Sequence, residues 1–166
     1  TAQIKYVLQG ICATVEGMGL ASYMAEIAAE LSPAPPESEA QLRLLLNCLY
    51  MLSEQKRPVR ILKVIYELRS MTLAGYMPDG GEFYLNPIAG NLLCAACADK
   101  ARHLPNLDEG SLYALRHICL AEDKKLFSFT LSDSSLKDLS RVSEQYVLAH
   151  LEHKMKSLDF LKTVLE

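Results

Sequence analysis

An abrupt helix end near the middle of the chain limits its possible folds more than any other feature. Gly75 can adopt the left-handed backbone conformation after a last helical turn, Tyr76 can fold back onto that turn, and Pro78 prevents the helix from resuming. A helix is therefore predicted from about Val59 to Ala74. The following residues, 79–93, contain Gly-Gly, Asn-Pro and Gly-Asn pairs, so they predict turns with a short hairpin at most.

Apolar residues recur at helical spacing through most of the first half of the chain. Residues 4–31 predict two helices, or one helix with a kink where the spacing slips at Gly17–Gly19. The proline-rich segment 32–36 cannot continue a helix and is the clearest linker. A new helix is predicted to start near Ser38 and to bury a leucine face made of Leu42, Leu45, Leu46, Leu49 and Leu52.

The second half shows the same helical spacing after Pro105. Asn106 or Asp108 can accept hydrogen bonds from the first amides of a helix, and Ser132–Ser135 offers the same chemistry before another. Phe127–Leu131 alternates in polarity and can be extended, and a last helical pattern ends the chain. The predicted fold is mainly α, a helical bundle forming a single domain over residues 1–166 with a small irregular or hairpin insert around residues 79–97.

Composition excludes several classes of protein. With 166 residues, of which 50% are hydrophobic and 22% are charged, the chain is typical of a soluble globular domain. The apolar runs are far shorter than the roughly 20 residues that cross a bilayer, and Thr1 is not followed by a secretory leader, so a cytoplasmic protein is expected. A formal net charge of −3 means that any contact with nucleic acid must rest on a local patch or on a basic domain missing from this chain.

Basic residues cluster at the start of the helix predicted from Val59. Arg57, Arg60 and Lys63, with Lys56 before them and Arg69 further along, could bind DNA phosphates or the carboxylate of a partner peptide. The alternative is a solvated face with ion pairs to Glu54 and Glu67, because such charge runs are common on protein surfaces. For a second basic set, the solvated face is the favoured interpretation: His150, His153, Lys154 and Lys156.

Cys94 and Cys97 have the spacing with which two thiolates bind one zinc ion, but a complete site needs four ligands. His103 lies downstream, and only carboxylates, Asp79, Glu82 and Asp99, could complete an unusual mixed site. The pair by itself predicts reduced packing cysteines in preference to bound zinc. The other cysteines, Cys12, Cys48 and Cys119, sit among apolar helical neighbours and are expected to pack as small hydrophobic residues in a reducing compartment.

Motifs for catalysis are missing from the sequence. It contains no nucleophile elbow, phosphate-binding loop, HExxH or paired-carboxylate signature. A non-enzymatic protein is therefore expected. The enzymatic alternative is a metal or thiol catalyst that uses Cys94 and Cys97.

Several segments, in order and at similar spacing, resemble the helical part of the bacterial RecO family. The central one runs from Tyr66-Glu67-Leu68-Arg69 through Gly75-Tyr76-Met77-Pro78-Asp79 to Cys94-Ala95-Ala96-Cys97, the last part resembling the second half of the family's zinc-finger insert. The flanking segments that also resemble the family are residues 21–27, 44–52, 83–87, 146–151 and 156–161. The likeness covers nearly the whole chain and implies a helical body with a zinc-finger-like insert.

Two departures limit what the resemblance implies. The family's N-terminal OB domain, a small β-barrel that binds single-stranded DNA, is expected to be missing from this chain. Residues 78–82 stand where the family has the first CxxC of its zinc insert, so no cofactor is expected unless zinc binds to Cys94 and Cys97 with other ligands.

The resemblance also implies partners. The complete protein would be a DNA repair and recombination mediator that anneals strands, binds RecR, and recognises the acidic C-terminal tail of single-stranded DNA-binding protein to help load RecA. The edge carrying Arg57, Arg60 and Lys63 is the candidate docking place for that tail, chosen from its charge. The alternative is a helical scaffold or protein-interaction domain without a nucleic-acid function.

Overall fold

A computed structural model describes residues 9–31, 38–76, 83–86, 91–94, 107–151 and 154–165. The helices and strands of these residues, in chain order, are α1 (Val15–Leu31), α2 (Ser38–Ser53), α3 (Val59–Leu73), β1 (Phe83–Asn86), β2 (Asn91–Cys94), α4 (Glu109–Leu120), a 3-10 turn (Asp123–Lys125), α5 (Asp133–His150) and α6 (Lys156–Leu165). The mainly α fold predicted from the sequence is confirmed. The proline-rich segment 32–36 lies outside the described residues.

The chain divides into two compact units. The first unit comprises Thr1–Tyr66 with Lys154–Glu166, and the second comprises Glu67–His153. The division along the chain falls between Tyr66 and Glu67, inside α3. That both units form a single domain stays a prediction.

In the first unit, α1 packs closely against α6. A Cβ atom on Gly19 of α1 would lie 3.2 Å from Leu161 Cδ1 and 3.4 Å from Phe160 Cε1, so a side chain here would require Leu161 to shift by a few tenths of an ångström. The core side chains of these two helices are apolar and buried: Leu20, Tyr23, Met24, Ile27, Leu158 and Leu161.

The beginning of α1 differs from the prediction. Residues 9–11 are helical, residues 12–14 form a turn, and α1 then runs without interruption through Gly17 and Gly19. The hydroxyl of Thr14 accepts a hydrogen bond from the amide of Gly17 at 3.0 Å, as a helix cap does. The break therefore precedes the predicted kink. Cys12 lies in this turn and is exposed, so its predicted packing role is wrong.

The buried face of α2 also differs from the prediction. Leu42 and Leu46 are 56% and 57% exposed, while Leu45 and Leu49 are only partly buried. The residues that α2 buries are Gln41, Leu44, Cys48 and Leu52. Because leucine occupies several faces of this helix, the sequence allows more than one apolar stripe, and packing selects between them.

Helix α3 ends as the sequence predicts. Gly75 has a φ of 80°, in the left-handed region. The amide of Gly75 donates to the carbonyl of Thr72, and the amide of Tyr76 donates to the carbonyl of Met71, each at 3.0 Å. This pair of bonds is the Schellman motif, which satisfies carbonyls that a helix end leaves without partners.

In the second unit, α4 and α5 are held together at their beginnings. Asp108 caps α4 by accepting from the amide of Ser111 at 2.7 Å, and its other carboxylate oxygen accepts from the hydroxyl of Ser135 at 2.6 Å. Ser132 caps α5 by accepting from the amide of Ser135 at 3.2 Å. These hydrogen bonds lower the pKa of Asp108, the largest effect coming from Ser111 and Ser135. Capping by Asp108 and by the serines is confirmed.

Between α4 and α5, the extended segment predicted at Phe127–Leu131 stays a prediction. The chain turns at residues 126–127 and no strand is assigned to residues 128–131. Leu126 and Phe129 are buried. Ser128 and Thr130, on either side of Phe129, are exposed, so burial follows the alternating polarity of the sequence.

Within the predicted insert, β1 and β2 form an antiparallel pair. Phe83 lies opposite Cys94, and Asn86 lies opposite Asn91. This is the short hairpin that the sequence permits, and the rest of residues 79–97 lies outside the described residues. Among the helices that the structure describes, none combines the length and apolar character that crossing a membrane demands.

Candidate partner-binding site

A cleft of about 500 Å³ lies in the first unit, beside the connection from α2 to α3. It is lined by Gly10, Thr14, Glu16, Gly17, Leu52, Gln55, Lys56, Arg57, Pro58 and Val59. The lining combines apolar side chains with two cations and one carboxylate. Such a mixture suits a ligand that carries both an apolar group and negative charge.

The end of α2 brings the two cations to the cleft. The amide of Gln55 donates to the carbonyl of Leu52 at 3.1 Å, and the amide of Lys56 donates to the carbonyl of Met51 at 3.0 Å. Gln55 has a φ of 51°, the left-handed conformation that usually falls to glycine. A second Schellman motif thus directs the chain so that Lys56 and Arg57 follow immediately at the cleft.

Lys56 is held in place by an aromatic neighbour on α2. Its ammonium donates a hydrogen bond to the Tyr50 hydroxyl at 2.7 Å and lies 4.5 Å from the centre of the Tyr50 ring. The hydrogen bond that Lys56 donates to Tyr50 is the largest cause of the raised Lys56 pKa. The ammonium therefore stays charged at neutral pH, ready to attract an anion.

Arg57 is the one member of the predicted set of four that lines this cleft. Its side chain is half-buried beside Pro58 and Val59. A guanidinium in this position can bind a carboxylate through two parallel hydrogen bonds. Arg57 thus lies where it could meet a ligand, and its binding role stays a prediction.

Arg60 is exposed but is engaged by another helix. Its guanidinium donates a hydrogen bond to the carbonyl of Leu165, at the C-terminal end of α6. Carbonyls at a helix end carry partial negative charge, so a cation is stabilising there. Arg60 therefore stabilises the end of α6, whether or not it also contacts a ligand.

Lys63 does not belong to an exposed basic edge. Only 3% of its surface is exposed, and its ammonium lies 5.7 Å from the centre of the Tyr23 ring. The sequence predicts it on the edge because its neighbours are basic, but α3 is buried on all sides over residues 61–68, so this lysine is enclosed with its apolar neighbours. The exposed edge predicted at Arg57, Arg60 and Lys63 is corrected in this respect.

Arg69 stabilises the second unit. It is 12% exposed and donates to the carbonyls of Ile118 and Cys119, at 3.2 and 2.8 Å, near the end of α4. It also forms an ion pair with Asp123 at 3.1 Å. The alternative prediction placed Glu67 on a solvated face. In the structure Glu67 is fully buried and accepts a hydrogen bond from the Ser143 hydroxyl at 2.6 Å.

Sequence reasoning gave Lys56 a minor place and missed Tyr50. The position of Lys56 was predictable, because a lysine that follows the end of a helix is expected to be exposed. Tyr50 gives no such signal, since a tyrosine among leucines predicts a core residue. Its contact with Lys56 depends on the turn at Gln55, where glycine, the usual indicator, is missing.

The second basic set includes residues with structural contacts, since the backbone of Lys156 hydrogen-bonds with Glu26. His150 hydrogen-bonds through Nδ1 with the carbonyl of Tyr146 at 2.8 Å, and its ring lies 4.3 Å from the Tyr146 ring and 5.0 Å from the Tyr76 ring. The hydroxyl of Tyr146 in turn donates to the carbonyl of Tyr76 at 2.5 Å. Lys154 and Lys156 are exposed, and His153 lies outside the described residues.

The possible metal ligands are described only in part. Cys94 ends β2, whereas Cys97, His103, Asp79, Glu82 and Asp99 lie outside the described residues. The described part of the chain has no group of three metal-binding side chains. Zinc binding at Cys94 and Cys97 stays a prediction. Burial raises the pKa of the Cys48 and Cys119 thiols, as expected for cysteines that pack in a core.

The sequence matches a known family and several curated relatives. The profile described as "Recombination protein O C terminal" matches residues 13–159. Proteins named DNA repair protein RecO are similar to this chain: that of Acetivibrio thermocellus is 30% identical and that of Symbiobacterium thermophilum is 26% identical. The alignments cover 90% and 89% of this chain, and 64% of each relative, so the chain spans under two thirds of their length. By the match over residues 13–159, the chain belongs to the recombination protein O C-terminal family.

Proposed function

We propose that this chain is the helical part of a DNA repair and recombination mediator that acts by binding and does not catalyse a reaction. The family match over residues 13–159 is the single observation that carries the proposal. The similar proteins named DNA repair protein RecO support the same role. The missing catalytic motifs agree with a binding protein, because the activity proposed here needs no bond-making group.

The proposed partners follow from the family. The complete protein would bind DNA, RecR and the acidic tail of single-stranded DNA-binding protein, anneal complementary strands, and assist the loading of RecA. With a net charge of −3, this chain alone would contribute little general attraction to DNA, so an OB domain would supply the main DNA contact. The helical part would then contribute mainly through recognition of proteins.

The cleft beside α3 is our candidate for the tail of single-stranded DNA-binding protein. An acidic peptide with an apolar end needs an apolar recess and cations next to it. Leu52, Pro58 and Val59 supply apolar lining, while Lys56 and Arg57 supply positive charge on the same stretch of chain. Glu16, also in the lining, would repel peptide carboxylates and so direct them towards Lys56 and Arg57.

Fluorescence anisotropy with a labelled acidic peptide that ends in an apolar residue and a free carboxylate tests this assignment. Arg57→Glu should weaken binding by about tenfold or more, because it replaces attraction by repulsion. Binding of the parent chain should also weaken as salt rises. Lys137→Glu, a change of the same charge at an exposed position of α5, should leave the affinity unchanged.

Equal weakening by Arg57→Glu and Lys137→Glu would contradict the cleft, since only general charge would then matter. A peptide without its apolar end should bind poorly. If the parent chain binds neither peptide, the scaffold alternative is favoured for this chain. Turnover of any substrate by the purified chain would contradict the non-enzymatic role.

A further inference from the structure

Helix α4 in the second unit has a second ordered face besides its core face. The core face is formed by Ser111, Ala114, Leu115, Ile118 and Cys119. Tyr113 and Leu120 point the other way and are 63% and 66% exposed. The half-buried His117 lies one turn after Tyr113, and the exposed Arg116 is its neighbour in sequence. Helix α4 thus presents two large apolar side chains to solvent in addition to the stripe that it buries.

The rings on this second face are arranged in a fixed stack. The Tyr113 and His117 rings are 6.3 Å apart with planes inclined by only 26°, and His117 in turn lies 5.2 Å from the buried Phe129 ring. His117 Nε2 hydrogen-bonds with the carbonyl of Lys125 at 2.9 Å. Because that partner is a carbonyl, the imidazole donates the proton, which holds its ring plane in place. The stack gives Tyr113 a rigid support.

The same hydrogen bond brings the 3-10 turn that carries two lysines next to the His117 ring. It attaches the 3-10 turn Asp123–Lys125 to α4, and both Lys124 and Lys125 are exposed there. Asp123, next to them, forms an ion pair with Arg69, which offsets its negative charge. Glu109 and Glu122 are exposed carboxylates on the same stretch of chain, so Arg116 and the two lysines outnumber them by one charge.

We propose that this Tyr113 face, made of Tyr113, Arg116, His117, Leu120, Lys124 and Lys125, binds single-stranded DNA. One base stacks on the Tyr113 ring, and the neighbouring phosphates meet Arg116 and the two lysines. Exposed aromatic rings next to cations are the chemistry with which proteins hold single strands without reading their sequence. The inference deepens the proposed function and rests on it for the biological setting, while the ligand chemistry follows from the rings and charges.

Charge sets the expected strength of this contact. Three cations that neutralise phosphates on a single strand predict a slope of about −2 for the logarithm of the binding constant against the logarithm of salt concentration. The chain as a whole has a net charge of −3, so long-range attraction adds little. Stacking on Tyr113 must therefore carry a large share of the affinity.

Anisotropy of a fluorescein-labelled oligo(dT) of about 12 nucleotides, titrated with the full chain at several salt concentrations, tests the proposal. Tyr113→Ala should weaken binding at least about fivefold, the loss of one stacked base, whereas Tyr113→Phe should keep it. In a double variant, Lys124→Ala with Lys125→Ala, the slope of the logarithm of the binding constant against the logarithm of salt concentration should become less negative by about 1.4. Since all three side chains are exposed, melting curves should show that these variants fold.

Matched controls separate this face from the cleft. Tyr50→Ala removes an exposed tyrosine from the first unit and should leave oligo(dT) binding unchanged. Tyr113→Ala should leave binding of the acidic peptide unchanged. A failure of the peptide assay therefore tells against the cleft, and a failure of the DNA assay tells against the Tyr113 face.

Photo-crosslinking of the chain to an oligonucleotide with 5-iododeoxyuridine locates the contact directly. Mass spectrometry should find the crosslink in the peptide that contains Tyr113 and His117. Crosslinks confined to other segments would overturn the proposal, as would Tyr113→Ala binding that equals the parent. Binding of an acidic aromatic peptide to this face with no binding of oligo(dT) would also overturn it and identify a protein-docking surface.

Discussion

Two arginines of α3, one in each unit, do the same kind of work in different surroundings. Arg60 in the first unit donates to a carbonyl at the end of α6, and Arg69 in the second unit donates to two carbonyls near the end of α4. Arg60 is exposed and meets one carbonyl there, that of Leu165. Arg69 is nearly enclosed and meets two carbonyls and a carboxylate. The comparison shows that a basic residue near others in sequence can be part of the internal structure.

Burial is what should make the two arginines unequal. A cation at a helix C-terminus is favourable in both places, but water competes for the exposed one and salt screens it. Around Arg69, removal of the guanidinium would leave buried carbonyls without a donor. Substitutions of the two arginines test this difference, and a substitution of Glu26 tests the other end of α6. The expected effects decrease in the order Arg69→Ala, Glu26→Gln, Arg60→Ala.

Arg69→Ala should have the largest effect on stability. It removes two charged hydrogen bonds and an ion pair from a part-buried site, so we expect a loss of about 2–3 kcal/mol in the free energy of unfolding. Urea denaturation followed by circular dichroism measures it. Arg69→Lys keeps the charge but loses the planar guanidinium, so its free energy of unfolding should lie between those of the parent and of Arg69→Ala. A loss below about 0.5 kcal/mol, as at ordinary surface sites, would erase the contrast with Arg60.

Glu26→Gln tests the other end of α6, where a side chain of α1 acts as the cap. Glu26 accepts from the amide of Ser157 at 3.1 Å and from its hydroxyl, and the hydroxyl bond is the largest cause of its lowered pKa. After allowance for solvent screening, we expect the substitution to cost about 0.5–1 kcal/mol at neutral pH.

The effect of Glu26→Gln should depend on pH. Because the pKa is lowered on folding, the stabilisation by Glu26 is complete above its ordinary value of 4.5 and is lost as pH falls through the folded value. Urea titrations of the parent and variant at several pH values should converge on acidification. A gap that persists at the lowest pH at which the chain stays folded would show that packing, not charge, explains it.

Arg60→Ala should have the smallest effect. The exposed contact with the end of α6 is expected to contribute about 0.3–0.5 kcal/mol at low salt, and this contribution should shrink as salt is added. Thermal melting at low and high ionic strength measures it. A salt-independent loss as large as that of Arg69→Ala would mean that exposure does not decide the value of these contacts.

The sequence predicted helix ends better than helix faces. The stop at Gly75 is predicted, and Asp108 and Ser132 are among the residues that the sequence offers as caps, because these features depend on local chemistry, a left-handed torsion or an oxygen next to free amides. The face of α2 was wrong at Leu42 and Leu46, because only the packed neighbours choose between two apolar stripes.

The candidate site was predictable only in part for the same reason. Arg57 lines the cleft, but the predicted set also included Lys63, which is buried, and Arg69, which joins α3 to α4. Charge along the sequence shows where cations occur and not what they contact. The stack of Tyr113 on His117 was missed because it depends on a hydrogen bond to a turn eight residues further on.

The conformation of Gly75 limits which residues evolution or an engineer can place there. A Cβ atom at this position would meet nothing within 4 Å, so there is ample room for a larger residue. The φ of 80° nevertheless strains any residue with a side chain, asparagine least among them. Handedness of the backbone, and not space, therefore governs substitution at this turn, and a method that scores only steric fit would accept alanine there in error.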